Sequence, residues 1–145
     1  MSNRGRGTKY SELFDLVGTL AQKRFRLAEH ALSAVGLNHT EARLVSILRQ
    51  EGGAMTQDEL SAALTVDRSN AGRALKKLES HGFIARRQDE VDKRSKVVVI
   101  TKKGREIAAE VEEIRTEIVE ALFRDLAEPD AVTIVRILRR AFPDD

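Results

Sequence analysis

The sequence predicts a mainly α-helical chain with one small β element, and three observations carry that prediction. Two short helical patterns meet at a tight turn within residues 56–82. A strand, a charged loop and a second strand follow directly, over residues 83–101. Long runs of helical apolar periodicity flank this unit on both sides. Together they describe an α+β winged helix-turn-helix lobe over residues 38–100, set between terminal helical segments at 8–35 and 101–145 in a single domain spanning 1–145.

Residues 1–7, MSNRGRG, are polar, glycine-containing and basic at Arg4 and Arg6, a composition that rarely orders by itself. A loose arm is expected there, either frayed or laid along DNA as a minor-groove or phosphate contact. From Thr8 to about Val35, the residues Leu13, Phe14, Val17, Leu20, Ala21, Ala28, Ala31 and Leu32 form an apolar band at helical spacing, interrupted around Phe25 by Lys23, Arg24 and Arg26. Gly36 breaks the helix. Asn38, with Glu41 three residues on, offers a capping box for a helix through Gln50 that buries Ala42, Leu44, Val45, Ile47 and Leu48. Gly52-Gly53 closes it, and Ala54-Met55 suits a short strand paired with the hairpin downstream.

Thr56 and Glu59 repeat the capping box, so a helix begins there with Leu60, Ala63 and Leu64 as its apolar stripe. Thr65-Val66 leads into Asp67, an N-cap whose charge suits the positive helix end, and a second helix is expected to start at once. In that helix Ala71, Ala74, Leu75 and Leu78 recur at offsets of three and four and face the core. Ser69, Arg73, Lys76 and Ser80 fall on the opposite face, flanked by Arg68, Gly72 and Lys77. Gly82 ends the helix, because glycine enters the left-handed conformation at little steric cost. A basic face on a lone helix reads as solvated surface. The short helix before it and the basic hairpin behind it turn the reading toward a duplex, with Arg68, Ser69, Asn70, Arg73, Lys76 and Lys77 as candidate contacts.

Residues 83–88, the loop DEVDKRS and residues 96–101 read as strand, loop and strand, which is a wing. Lys93, Arg94 and Lys96 stand among Asp89, Glu90 and Asp92, so net charge alone does not make the wing bind phosphate. One well-aimed cation is needed. Arg86, Lys93, Arg94 and Lys96 are the candidates, with Asp92 expected to hold Arg94 by a charge-assisted bond and leave its guanidinium fork for a minor groove or a phosphate.

Beyond Thr101, whose hydroxyl suits a helix cap, Ile107, Ala108, Val111, Ile114, Ile118, Leu122 and Phe123 continue at helical offsets to about Leu126. Pro129 fits the first turn of a last helix carrying Val132, Val135, Ile137, Leu138 and Phe142. This is more apolar surface than one small domain hides. First and last helices are expected to bury each other across a two-fold axis in a homodimer, the other arrangement being an antiparallel pair packed within one chain.

Val66-Asp67-Arg68-Ser69, Leu78-Glu79-Ser80-His81-Gly82-Phe83-Ile84, Arg86-Arg87, Asp92-Lys93-Arg94 and Ile100-Thr101-Lys102-Lys103-Gly104, in this order and spacing, resemble the MarR family of bacterial winged-helix transcription regulators over nearly the whole chain. The resemblance implies sequence-specific double-stranded DNA binding by a homodimer on a palindromic operator, as a ligand-responsive repressor. The second helix of the motif would enter the major groove with the wing beside it. It further implies a small aromatic or anionic effector between the dimer helices and the winged lobe, with Arg26, His30, His39 and Arg43 as candidate contacts. Gly72 departs from the family pattern, which often places a small hydroxyl residue before the arginine matching Arg73.

Composition narrows the alternatives. With 145 residues, 41% hydrophobic and 33% charged, the chain supports one domain with a real core. Aromatic content of 4% and the lack of Trp leave few stacking platforms for single strands, so a duplex reader fits better. The formal net charge of +2 divides as +3 over residues 1–53, +2 over 54–100 and −3 over 101–145. Without cysteine, thiol sensing, thiolate metal sites and disulfides are excluded. No apolar run approaches the ~20 residues needed to span a bilayer, and the first ten residues lack a signal peptide's apolar core, so no membrane association and a cytoplasmic location are expected. No nucleophile with a base, paired carboxylates, phosphate loop or metal-ligand spacing is visible, and His30, His39 and His81 lie apart; neither an enzyme nor a cofactor is expected. A reading from another class is a winged-helix protein-interaction module whose basic face binds an acidic protein, which competition by salt and nonspecific duplex would separate from a DNA binder.

Overall fold

The computed structural model describes the backbone of residues 3–64 and 68–144, and the side chains of 7–64 and 69–144. Helices α1 (Asn3–Ala34) and α2 (His39–Gln50) lead into strand β1 (Ala54–Thr56) and helix α3 (Gln57–Ala63). A 3-10 turn, Arg68–Asn70, precedes α4 (Ala71–Ser80), and the wing strands β2 (Ile84–Gln88) and β3 (Lys96–Ile100) follow. Helices α5 (Lys102–Phe123) and α6 (Glu128–Ala141) complete the chain. The sheet is antiparallel in the order β1-β3-β2, with Ala54 opposite Val99 and Ile84 opposite Ile100.

Local signals place most of these boundaries. Asn38 Oδ1 accepts the Glu41 amide at 2.8 Å while Glu41 Oε1 accepts the Asn38 amide at 2.9 Å, the capping box of α2. Thr56 and Glu59 do the same for α3, and Thr101 Oγ1 accepts the Gly104 amide at 2.9 Å at the start of α5. After α4 the chain turns through Gly82 at φ 78, with Gly82 N–H on Glu79 O and Phe83 N–H on Leu78 O, a Schellman closure.

Two boundaries differ from expectation. Helix α1 begins at Asn3 rather than at Thr8, so residues 3–7 extend the helix instead of forming a loose arm. Once a long helix is nucleated, each further residue costs one pair of dihedrals and adds one hydrogen bond, and even a poor helix former can join it. Met1 and Ser2, and the side chains of Arg4 and Arg6, lie outside the described residues. Helix α4 begins at Ala71 behind the 3-10 turn, and its N-cap position, Asn70, makes no side-chain capping bond. The expected cap, Asp67, lies outside the described residues with Thr65 and Val66.

The core is the winged lobe. Leu44, Val45, Leu48, Leu60, Leu75, Leu78 and Val98 are buried almost completely, and Ile107 and Ala108 of α5 close the cluster from the other side. The turn after α4 is fastened to α5: Thr101 Oγ1 donates to Gly82 O at 2.6 Å, Thr101 N–H to Phe83 O at 3.1 Å, and Lys103 Nζ to His81 O at 2.7 Å. Gly104 lies so close to the Phe83 carbonyl that a Cβ has no room. Gly104→Ala is therefore expected to destabilise the fold by about 1–3 kcal/mol through overpacking. Gly72, helical and with open space around it, is the control: Gly72→Ala is expected to stabilise by ~0.5–1 kcal/mol. Urea unfolding of both variants checks this pair, and equal midpoints for the two would contradict the crowding at Gly104.

Candidate DNA-binding surface

Helix α4 sorts its residues as its period dictates: Ala71, Ala74, Leu75 and Leu78 are buried, while Gly72, Arg73, Lys76, Lys77, Glu79 and Ser80 are exposed. Ser69 and Asn70, on the 3-10 turn, are exposed as well. The Arg68 side chain lies outside those described. Arg73 and Lys76 have no side-chain partner among the described residues, which leaves both cations available to an external anion. Lys77 differs, with its Nζ 3.5 Å from Oε1 of Glu41 while its side chain stays 51% exposed.

The wing tip is built by its acids. Asp89 Oδ1 accepts the Val91 amide, Asp92 Oδ1 accepts the Arg94 amide at 3.1 Å, and Gln88 Nε2 donates to Lys93 O. These local bonds compete with a ladder and shape a loop, as short acidic side chains do in turns. Asp92 thus holds Arg94 through its backbone and not, as expected, through its guanidinium. The consequence is the same in kind: Lys93, Arg94 and Lys96 are exposed and their charged groups are unpaired among the described residues.

Among the described residues Arg86 differs from the other wing candidates in having side-chain hydrogen-bond partners. It stands opposite Val98 in the sheet, two residues from buried Ile84, on the face of the hairpin turned toward the core. Its Nε donates to Glu79 Oε2 and its Nη2 to Glu79 Oε1, both at 3.1 Å, and Nη1 reaches Gln57 Oε1 at 3.4 Å. The side chain is only 16% exposed. The guanidinium is thus already forked onto a carboxylate. The partners Glu79 and Gln57 were not among the expected site residues, although strand alternation places Arg86 inward and an inward cation requires a partner.

The four candidate effector contacts are only partly brought together. Arg26 and His30 border an open hollow of about 510 Å³ with Glu29, Ser33 and Ala34, all on α1. His39, on α2, instead stacks on Phe25 with ring centroids 4.2 Å apart, and its buried Nε2 has no partner among the described residues. Arg43 is exposed on α2 and is not among the residues that line the hollow. Among the described residues no His, Asp and Glu cluster could hold a metal ion, and no helix is long and apolar enough to cross a membrane.

A recognition helix, a wing and the short helix before them, carried on a three-stranded sheet, define a winged helix-turn-helix regulator, and the comparisons with known proteins agree. The sequence model of the MarR family matches residues 37–96. The chain is 32% identical over 112 residues to the uncharacterised HTH-type transcriptional regulator YwoH of Bacillus subtilis, covering 77% of this chain and 80% of YwoH. It is 38% identical over 81 residues to the transcriptional repressor MprA of Escherichia coli, covering 55% of this chain but 46% of MprA. The reduced form of MarR from E. coli superposes with a TM-score of 0.77 at 26% identity, covering 90% of this chain and 96% of that one. A cysteine-to-serine mutant of MarR complexed with operator DNA gives 0.78 at 24% identity, covering 93% and 96%. The chain belongs to the MarR family, a family of DNA-binding transcription regulators and not of enzymes.

The Glu79–Arg86 pair has a pH signature. The Arg86 guanidinium hydrogen-bonded to Glu79, helped by the charges of Arg86 and Lys96, holds the Glu79 carboxyl below the usual carboxylate range. A lowered folded-state pKa means stability that is fully present above the ordinary value and is lost as pH falls through the lowered one. The margin of wild type over Glu79→Gln in urea midpoint is thus expected to be largest at neutral pH and to shrink on acidification through that window. A margin that stays constant, or grows, would contradict the pairing.

Proposed function

We propose that this chain works as a homodimer that binds a palindromic operator in double-stranded DNA and represses transcription until a small aromatic or anionic ligand releases it. The carrying observation is the pair Arg73 and Lys76 on the exposed face of α4, unpartnered among the described residues, beside a wing tip in which Asp89 and Asp92 accept backbone amides of the loop. In this reading Ser69, Asn70, Arg73, Lys76 and Lys77 meet the major groove and Lys93, Arg94 and Lys96 meet phosphates or a minor groove. The relatives named transcriptional repressor and MarR with operator DNA support the direction of the proposal.

The dimer is supported by what the single chain leaves uncovered. Helix α6 buries no residue; Val132, Val135 and Leu138 are exposed along it, as is Phe142 just after it, at 74%. On α1 Leu13, Phe14 and Val17 are exposed, Phe14 at 79%. Apolar surface of this extent is what a second copy covers. The effector site is supported by Arg26 and His30 at the hollow on α1, a cation and an imidazole ring that both line it. Light scattering is expected to give a dimer at micromolar concentration, and removal of residues 129–145 to cost solubility or DNA binding. A fully folded monomer at that concentration would overturn the dimer.

The two halves of the DNA surface are expected to respond differently. Arg94→Ala should weaken binding to any duplex and lower the salt slope by about one per lost phosphate contact in each subunit. Arg73→Ala should cost ~1–3 kcal/mol at the base it reads and relax the preference there, because a guanidinium can fork onto O6 and N7 of guanine. Binding to a selected and a scrambled duplex across a range of salt measures both. Equal losses on the two duplexes for Arg73→Ala would make it a phosphate contact, and no loss for either variant would remove DNA from this face.

A further inference from the structure

We infer that Arg86 is a positioning residue which, through Glu79 and Gln57, sets the angle at which the recognition helix and the wing are presented to DNA. The inference rests on the DNA-binding reading above and assigns Arg86 a part in it other than contact. One guanidinium joins three elements of the lobe. Its own strand, β2, opens the wing; Glu79 is in the last turn of α4; Gln57 is the first residue of α3. Both carboxylate oxygens of Glu79 are taken by the fork, so the bond fixes direction as well as distance.

A phosphate contact by Arg86 is disfavoured twice. The side chain is 16% exposed, and a phosphate approaching it would meet the Glu79 carboxylate, a like charge, already seated on the fork. Where the fork sits is what gives it leverage. The C-terminus of α4 is held on one side by Arg86 and on the other by Lys103 on His81 O and Thr101 on Gly82 O. Arg73, six residues before Glu79, is about 9 Å along the helix axis from that anchor. A tilt of ~10° there moves Arg73 by ~1.5 Å, well outside the ~0.5 Å within which a binding constellation must be held. A lysine keeps the charge of Arg86 but has no planar fork to grip two oxygens and a third group at once.

The test uses the full-length chain and two probes: the duplex that wild type selects from a randomised pool, and the same duplex scrambled. Arg86→Lys, Arg86→Ala, Glu79→Gln and the double variant Glu79→Gln with Arg86→Ala are compared over a range of salt, with unfolding midpoints to confirm that each is folded under the assay conditions. Each single variant is expected to lose about fivefold to 150-fold on the selected duplex, the equivalent of one misaimed bidentate base contact, and little on the scrambled one. The salt slope should stay at the wild-type value, and the double variant should lose no more than the worse single one, because both remove the same fork. A lower salt slope with equal loss on both duplexes for Arg86→Ala, or tighter binding by Glu79→Gln, would make Arg86 a phosphate contact and overturn the inference alone. Unchanged selectivity in folded variants would do the same. A wild-type protein that enriches no sequence, with Arg73→Ala and Arg94→Ala silent, would overturn the DNA-binding reading and this inference with it.

Discussion

The fold depends on one crowded turn, residues 81–83, where the recognition helix ends, the wing begins and α5 comes to rest. Gly82 supplies the left-handed conformation that reverses the chain, and Phe83 carries its carbonyl to the Thr101 amide and the bare backbone of Gly104. Thr101 is used in both directions, accepting from Gly104 to start α5 while donating to Gly82 O to hold the turn. Lys103 Nζ lies 5.1 Å from the centre of the Phe83 ring and covers the same corner. Because these bonds share atoms, α5 cannot slide along the turn without breaking the start of its own helix. The wing and α4 are therefore carried by the 22-residue α5 as attachments at its N-terminus.

This arrangement makes the two ends of α4 unequal. Its C-terminal end is closed by the Schellman bonds, the Arg86 fork and the α5 clasp, whereas Asn70 at its N-terminal end makes no side-chain cap and a 3-10 turn precedes it. The near end of α4 is thus held by fewer side-chain bonds than the far end.

What could be read in the sequence was what is decided within a few residues. The boxes at Asn38 and Thr56, the Thr101 cap and the Gly82 stop each need only a neighbour three or four positions away, and the buried face of α4 needs only its period. The start of α4 was harder, since Ser, Asn and Gly near position 70 favour turns as much as helix and packing chose a 3-10 turn first. Arg86 was half legible. Alternation from Ile84 points it inward, yet its tie to Gln57 joins residues 29 apart, a pairing that only the packing of α3 against the hairpin creates. The stacking of His39 on Phe25 is of the same kind, set by how α1 crosses α2 and invisible to spacing. That crossing left His39 and Arg43 off the hollow that Arg26 and His30 border.

The same pairings explain how a chain of net charge +2 can present a basic surface. Glu79 is matched to Arg86, and Glu41, 1% exposed, is matched to Lys77 and to the cap of its own helix, so these acids add little field of their own outside. Asp89 and Asp92 point at backbone amides of the wing loop, whose dipoles partly offset them. Among the described residues Arg73, Lys76, Lys93 and Arg94 are left without such compensation, all on α4 or the wing. The acidic excess of the sequence, −3 over residues 101–145, falls in the segment of α5 and α6, which supplies neither. Local field decides where an anion binds, and it is the internal matching of acids, more than the number of lysines and arginines, that concentrates positive charge on the recognition helix and wing.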